Sequence, residues 1–269
     1  MKILILYYSG TGNTRFACDV ARLVMEKAGH EVTMKTYAKV DDLDGFDLYC
    51  FAAPVYEWAP AKNVERFVVS MPRMQGKRAF IVTSSAGATG QATPLFARML
   101  EDKGLTVLGD HNLICPDSWG GTRRWSYTHD AETPTVESVR ELAAFTTSML
   151  ELSQAIEDSK RVVLPTYRVR RTGLFVASRL SRAAPSATFK MGRKKVDRDA
   201  CTECGVCAKN CPSGAITLDP YPEFGKQCIA CWRCINTCPA DCITTMLDGN
   251  QHYKGILDKS GLLKKAGLE

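Results

Sequence analysis

The chain has 269 residues, of which 45% are hydrophobic and 24% are charged. This composition is typical of a folded globular protein and argues against a disordered one, and no apolar run approaches the roughly 18 residues that a membrane-spanning helix needs. The net charge of +6 is unevenly distributed, because residues 159–200 alone carry +10 and the rest of the chain carries −4.

The N-terminal stretch MKILILYY is predicted to be a buried first strand, since a glycine-rich turn follows it without the cleavage pattern of a secretion signal. We therefore expect a cytoplasmic protein. In that compartment the 12 cysteines are expected to bind metal or lie buried rather than to form disulfides.

Strands and helices alternate along residues 1–158. Strand patterns occupy residues 2–8, 31–37, 47–56, 78–86 and 105–115, and helix patterns occupy residues 14–28, 61–71, 93–104 and 133–160. The last helix is predicted to be capped by Thr133, with Pro134 at its first position. The alternation predicts a parallel sheet covered on both faces, and it suits the doubly wound order 2-1-3-4-5.

The turn YYSGTGNTRFA follows the first strand, where this fold binds its ligands. It lacks the lysine of an ATP-type phosphate loop and the third glycine of a dinucleotide loop. What remains is a hydroxyl-rich loop for a single phosphate group, made by Ser9, Thr11, Gly12, Asn13 and Thr14. The pattern S-x-T-G-N-T resembles the FMN phosphate loop of flavodoxins.

This resemblance implies a flavodoxin-like fold in which two further loops hold the flavin ring. The matching positions are Pro54, Val55, Tyr56 and Trp58 after the third strand, and Ser84, Ser85, Ala86, Gly87 and Gly90 after the fourth. The alternative is that Tyr56 and Trp58 are ordinary packing or surface aromatics. Trp119 is a further candidate for flavin binding; it lies in a long loop, residues 115–130, which would border the same crevice and is either a lid over the flavin or a docking surface.

Residues 196–250 contain an internal repeat. Two runs of the form C-x2-C-x2-C-x3-C-P align without a gap at an offset of 27 residues. The spacing is that of cubane iron–sulfur ligands, whereas zinc sites favour paired cysteines separated by a finger-length loop. The repeat resembles the bacterial two-cluster ferredoxins, which implies a small α+β domain with two [4Fe-4S] clusters. In that family the fourth cysteine of each run serves the other cluster. The resemblance thus assigns Cys201, Cys204, Cys207 and Cys238 to one cluster, and Cys228, Cys231, Cys234 and Cys211 to the other.

Four cysteines lie outside these runs. Cys18 and Cys50 are predicted to be core residues within a helix and a strand, and Cys242 aligns with Ala215 at a small core position of the repeat. Cys115 ends a strand that faces the expected flavin crevice, so a functional role for its thiol stays open. The four histidines form no motif.

A basic linker, residues 159–195, joins the two regions, and residues 251–269 follow them as a C-terminal tail. Residues 167–182 are predicted to form a short basic amphipathic helix, although Gly173 disfavours it. Three roles compete for this segment: packing between the domains, docking of an acidic redox partner, or contact with an anionic membrane surface. No motif supports nucleic-acid binding.

The chain as a whole resembles a ferredoxin-fused flavodoxin over about 200 residues. The resemblance implies an electron carrier that exchanges electrons with a redox protein donor and acceptor, such as a ferredoxin or a partner oxidoreductase, in anaerobic metabolism. The alternative is an FMN-dependent enzyme that reduces a small molecule with electrons from its own ferredoxin-like domain. A cluster-based redox sensor is disfavoured because no effector domain is evident.

Overall fold

The structure is a computed structural model that describes residues 1–119, 133–170, 173, 176, 194–245, 252–256 and 258–269. In the first domain the strands are β1 Lys2–Tyr7, β2 Glu31–Thr36, β3 Leu48–Tyr56, β4 Ala59–Pro60, β5 Arg78–Ser85 and β6 Thr106–Ile114. The helices are α1 Asn13–Lys27, α2 Lys62–Ser70, α3 Ala92–Asp102 and α4 Val136–Glu157.

The main sheet has the strand order β2-β1-β3-β5-β6, and neighbouring strands in this order are parallel. The two-residue strand β4 turns back from β3 and pairs with it antiparallel. If β4 is set aside, this order is the predicted 2-1-3-4-5, so the flavodoxin-like doubly wound topology is confirmed. The carboxyl ends of β1, β3, β5 and β6 meet at one edge, where the sequence placed its ligand-binding loops.

Two apolar layers cover the sheet, because β1, β3 and β5 are almost entirely buried runs that offer side chains to both faces. Helices α1 and α4 cover one face and helices α2 and α3 cover the other. Cys18 and Cys50 are fully buried between α1 and the sheet, as predicted.

The cap of α4 differs from the prediction. The helix begins at Val136, and its cap is Thr135, whose hydroxyl accepts a hydrogen bond from Ser138 N at 3.1 Å. Thr133 and Thr135 are chemically equivalent candidates, but the Ser138 hydroxyl also donates to the Thr135 carbonyl at 2.9 Å, a contact that Val136 could not make to Thr133. Pro134 therefore precedes the helix instead of opening it.

The second domain is built from short elements. Its strands are β7 Lys195–Val196, β8 Ile216–Asp219, β9 Tyr221–Phe224 and β10 Ile243–Thr244, and its helices are α5 Val206–Lys209 and α6 Arg233–Asn236. Strands β7 and β10 form one antiparallel pair, and β8 and β9 form another. This small α+β unit agrees with the predicted ferredoxin-like domain.

The two halves of this domain repeat in three dimensions as they do in sequence. Helices α5 and α6 are separated by the same 27-residue offset as the cysteine runs. Left-handed backbone conformations recur at the same offset in the pairs Glu203 and Ala230, Gly205 and Trp232, and Gly214 and Asp241. The two cysteine loops therefore follow the same path.

The first part of the linker and the C-terminal tail both pack on the first domain. Tyr167 donates a hydrogen bond to Asp110 at 2.9 Å, and Arg170 N donates to Gln91 Oε1 at 2.7 Å. In the tail, α7 Lys259–Lys265 lies against α4, with Leu263 and Leu268 buried in the same core as α1. Most of the predicted basic helix, residues 167–182, lies outside the described residues. Within the described part of the chain, no helix is long and apolar enough to cross a membrane.

Candidate functional site

The loop between β1 and α1 leaves the start of α1 open to an anion. The helix begins at Asn13, after Gly12 in a left-handed conformation (φ 101°), with neither a side-chain cap nor an acidic residue in its first turn. Ser9 Oγ accepts a hydrogen bond from Gly12 N at 3.1 Å and so tightens the turn. Uncapped N–H groups and the positive end of the helix dipole suit a phosphate group.

Two predicted loop residues connect the phosphate loop to neighbouring strand ends. The Thr14 hydroxyl is buried and lies 2.8 Å from the Ser84 hydroxyl at the end of β5. The Asn13 amide donates to the Pro116 carbonyl, just after β6, at 3.1 Å. The loops after β1, β5 and β6 therefore form one hydrogen-bonded edge, and backbone groups, Ser9 and Thr11 remain for a phosphate.

The loop after β3 turns sharply toward this edge. Pro54, Val55 and Tyr56 end β3, and Trp58 has a left-handed conformation (φ 61°). The Tyr56 hydroxyl reaches the phosphate loop so closely that a Cβ added at Gly10 would lie 2.5 Å from it. Burial raises the pKa of Tyr56, so its hydroxyl stays protonated at neutral pH.

The loop after β5 holds the other predicted ring positions. Ser84 and Ser85 are buried, and Ser85 Oγ accepts a hydrogen bond from Gly87 N at 3.2 Å. The described loop also contains Ala86 and Gly90. A Cβ added at Gly90 would lie 2.5 Å from Trp58 Cβ, so the loops after β3 and β5 are in contact.

Trp119 lies at the other end of the edge, against the second domain. Its ring centroid is 6.2 Å from that of Trp232, and its side chain packs on the core of the ferredoxin-like domain. Residues 120–132 of the same loop lie outside the described residues. Cys115 is buried, which raises the pKa of its thiol to about 12.

A cavity in the second domain is lined by the four cysteines that the resemblance to two-cluster ferredoxins assigned to the second cluster. The cavity opens to solvent, and its empty space amounts to about 320 Å³ when the solvent space at its mouth is counted. Its thiol lining is Cys211, Cys228, Cys231 and Cys234. The pKa of Cys234 is raised to about 12, chiefly by burial; Lys194 lowers it, and Cys231, Cys228 and Cys211 raise it. Four thiols around one space are the donor set of a cubane cluster.

The other four cysteines also lie near one another. Burial raises the pKa of Cys207, with Cys204 and Cys238 adding to the rise, and Cys242 interacts with both Cys238 and Cys201. Cys204 is exposed, so this set faces solvent on one side. Cys242 Sγ lies 3.5 Å from Cys238 Sγ, and Cys242 is buried, as is its repeat partner Ala215. Among the described residues, no three His, Cys, Asp or Glu side chains are grouped to hold a single metal ion.

The cavity cysteines adjoin the phosphate loop directly. Cys231 packs in one apolar cluster with Tyr8, the residue between β1 and the loop. Burial raises the pKa of Tyr8, and Tyr56 and Cys231 add to the rise. A Cβ added at Gly10 would lie 3.5 Å from the Cys231 carbonyl, and Arg233 Nη1 donates to the Ser9 carbonyl at 2.9 Å.

The same interface contains residues that the sequence did not identify. Asn236 donates to the Ser118 carbonyl at 2.8 Å and accepts from Tyr253 N at 2.9 Å. The Tyr253 hydroxyl donates to Asn13 Oδ1 at 2.6 Å, and burial raises its pKa. No motif marks Tyr8, Arg233 or Tyr253, because their roles depend on the docking of two domains.

Comparison with known proteins agrees with this division. Residues 4–113 match the family model of the flavodoxin domain, and residues 194–217 match that of the 4Fe-4S binding domain. The chain therefore joins a flavodoxin-type domain to a 4Fe-4S binding domain. Together these domains define a flavin and iron–sulfur electron-transfer protein, for which the first implies FMN and the second a [4Fe-4S] cluster. None of the curated proteins matches this sequence.

Similar solved structures include flavodoxins. A flavodoxin from the domain Archaea is 20% identical, with 57% of this chain and 99% of that chain covered and a TM-score of 0.44. The two-electron reduced flavodoxin of Megasphaera elsdenii is 22% identical, with coverages of 53% and 98% and a TM-score of 0.41. A flavone reductase is 14% identical, with coverages of 60% and 66% and a TM-score of 0.44. These structures add no functional argument.

Proposed function

We propose that this protein passes low-potential electrons between two [4Fe-4S] clusters and FMN. It thereby links one-electron carriers such as ferredoxin to a partner oxidoreductase in anaerobic metabolism. The observation that carries the proposal is the four-cysteine cavity, one of whose thiols, Cys231, packs against Tyr8 at the start of the phosphate loop. When bound, a cluster exchanges one electron at a time, and a flavin exchanges one or two.

The repeat supports a second cluster. The family match ends at residue 217, before the second cysteine run. The second run nevertheless repeats the helix and the left-handed positions of the first, and it supplies three of the four thiols in the cavity. A loop that follows the same path and has the same ligand spacing suits the same kind of cluster.

The protein's own residues would hold the two cofactors as follows. Cys201, Cys204, Cys207 and Cys238 would bind the cluster that faces solvent, and the cavity cysteines would bind the cluster beside the flavin. The open start of α1 with Ser9 and Thr11 would bind the FMN phosphate, and the loops after β3 and β5 would flank the ring. Exposed Cys204 marks the side where a protein donor would dock. We place the protein in the cytoplasm, where thiols stay reduced.

The loop that would favour the small-molecule reductase lies largely among residues 120–132, outside the described part of the chain. No described feature favours that alternative over electron transfer. The electron-carrier function is therefore the one that the described residues support best.

The test is anaerobic purification of the wild type beside Cys231→Ala, Cys204→Ala and Cys242→Ala. We expect one FMN and about eight iron atoms in the wild type, since each cluster contains four. Cys231→Ala and Cys204→Ala should each lose about four iron atoms, whereas Cys242→Ala, which changes a buried thiol outside the ligand sets, should keep about eight.

The same variants test the electron route. Reduction of bound FMN by a reduced ferredoxin should slow in Cys231→Ala and in Cys204→Ala, while dithionite still reduces the flavin directly. Normal reduction by ferredoxin in the double variant Cys204→Ala/Cys231→Ala, which should lose both clusters, would exclude the route. A wild type that contains only FAD, or stoichiometric zinc in place of iron, would refute the cofactor assignment.

A further inference from the structure

The phosphate loop has no cation of its own. Residues 9–14 contain neither lysine nor arginine. Arg15, in the first turn of α1, is held elsewhere: its guanidinium bonds to Asp19 at 3.1 Å and to the Tyr7 hydroxyl at 2.9 Å. A phosphate monoester carries up to two negative charges near neutral pH. Arg233 from the second domain reaches the other end of the loop, where its guanidinium donates to the Ser9 carbonyl at 2.9 Å. At the start of α1 the loop would therefore stabilise the phosphate charge with dipoles alone, unless another segment supplies a cation there.

The C-terminal tail brings a cation to this loop. A Cβ added at Gly12, the residue that precedes α1, would lie 3.5 Å from Lys259 Nζ. The Lys259 side chain is exposed, and among the described residues its ammonium group has no hydrogen-bond or ion-pair partner. A compact ammonium ion on a flexible stem suits a phosphate group at this position.

Several contacts fix the tail in this place. Leu263 and Leu268 are buried against α1 and α4, and the Lys265 carbonyl accepts a hydrogen bond from Arg140 Nη2 at 2.9 Å. Nearer the loop, Tyr253 bonds to Asn13, and a Cβ added at Gly255 would lie 3.2 Å from the Thr11 carbonyl. Residues that precede Lys259 and residues that follow it are thus both fixed by contacts, and they hold Lys259 beside the phosphate loop.

We propose that Lys259 completes the phosphate site for FMN from the C-terminal tail. The inference rests on the proposed FMN function and adds a specific residue to it, 247 positions from Gly12 in the sequence. The first domain alone would then hold the phosphate more weakly than the whole chain does.

The experiment measures the dissociation constant of FMN by quenching of flavin fluorescence with the full-length protein. Lys259→Gln removes the charge, Lys259→Arg keeps it, and Lys264→Gln removes an exposed charge from the same helix as the matched control. At low salt we expect Lys259→Gln to weaken FMN binding roughly fivefold, while Lys259→Arg and Lys264→Gln stay within about twofold of the wild type. Near 1 M salt, where the Debye length is about 3 Å, the difference should fall below about twofold.

The possible failures can be told apart. If the wild type binds FMN and Lys259→Gln binds it equally well, or if Lys264→Gln weakens binding as much, the role of Lys259 is wrong and the proposed function stands. A deficit in Lys259→Gln that persists at high salt also overturns the role, because it indicates a structural effect. If the wild type binds no FMN, the proposed function itself fails.

Discussion

Leu263 anchors the C-terminal tail, and Leu263→Ala is expected to detach it. The leucine is 6% exposed and lies in the core shared with α1 and α4. Core leucine-to-alanine changes cost about 2–5 kcal/mol, and we expect the lower end of that range, about 2–3 kcal/mol, because a chain end relaxes easily. Since 1.4 kcal/mol is a factor of ten, the population of the detached tail should rise about 30- to 150-fold.

Hydrogen exchange of the peptide that covers residues 259–269 measures this opening directly, without assuming two-state unfolding of a two-domain chain. Exchange there should accelerate by the same factor, while peptides from β1 and β5 keep their protection. Lys264→Ala, an exposed position on the same helix, should change exchange by less than about threefold. Unchanged exchange in Leu263→Ala would show that this side chain does not hold the tail.

Three further changes test other parts of the structure. Gly90→Ala places a Cβ 2.5 Å from Trp58 Cβ at a left-handed position (φ 58°) and should lower the melting temperature, which flavin fluorescence can follow. Adding Trp58→Gly, which removes that Cβ, should recover the part of the loss that is due to the clash. Burial lowers the pKa of His111, so protonation of its imidazole is less favourable in the folded state than in the unfolded state. The free energy of unfolding should therefore fall as the pH drops below about 6.5. Between pH 7 and pH 5 the melting temperature of His111→Gln should fall less than that of the wild type. Arg168→Gln combined with Arg170→Gln should slow association with an acidic ferredoxin in a salt-dependent way, and unchanged association with a lower melting temperature would assign the pair to packing instead.

Most of the first domain could be predicted because its signals are local. Apolar runs of strand length and helices with a 3.6-residue period gave β1, β3, β5 and α1 to within a residue or two, and their alternation gave the strand order. The cap of α4 was misplaced because Thr133 and Thr135 are both suitable cap residues, and the reciprocal hydrogen bond from the Ser138 hydroxyl to the Thr135 carbonyl is seen only in the structure. The grouping of Cys211 with Cys228, Cys231 and Cys234 came from the resemblance to two-cluster ferredoxins, and these four residues line the cavity, whereas their role as cluster ligands stays a prediction.

The contacts between the domains left no such signal. Tyr253 is 240 residues from Asn13, and Arg233 is 224 residues from Ser9, so no periodicity or spacing connects them. The ring contacts of Tyr56 and Trp58, and the residues that bind the phosphate, stay predictions. The sequence does not indicate which set of four cysteines adjoins the phosphate loop. The packing of Cys231 against Tyr8 favours the cavity cysteines.

Both the linker and the tail are anchored on the first domain, so the ferredoxin-like domain between them is tethered to the first domain at both of its ends. Arg170 N is bonded to Gln91 at one end, and Leu263 is buried between α1 and α4 at the other. Such a double tether limits how far the small domain travels when it separates, and it keeps the effective concentration of each domain for the other high. It also means that a fragment cut at residue 158 would leave the apolar surface under Leu263 and Leu268 open to water, so its behaviour would not represent that of the same domain within the chain.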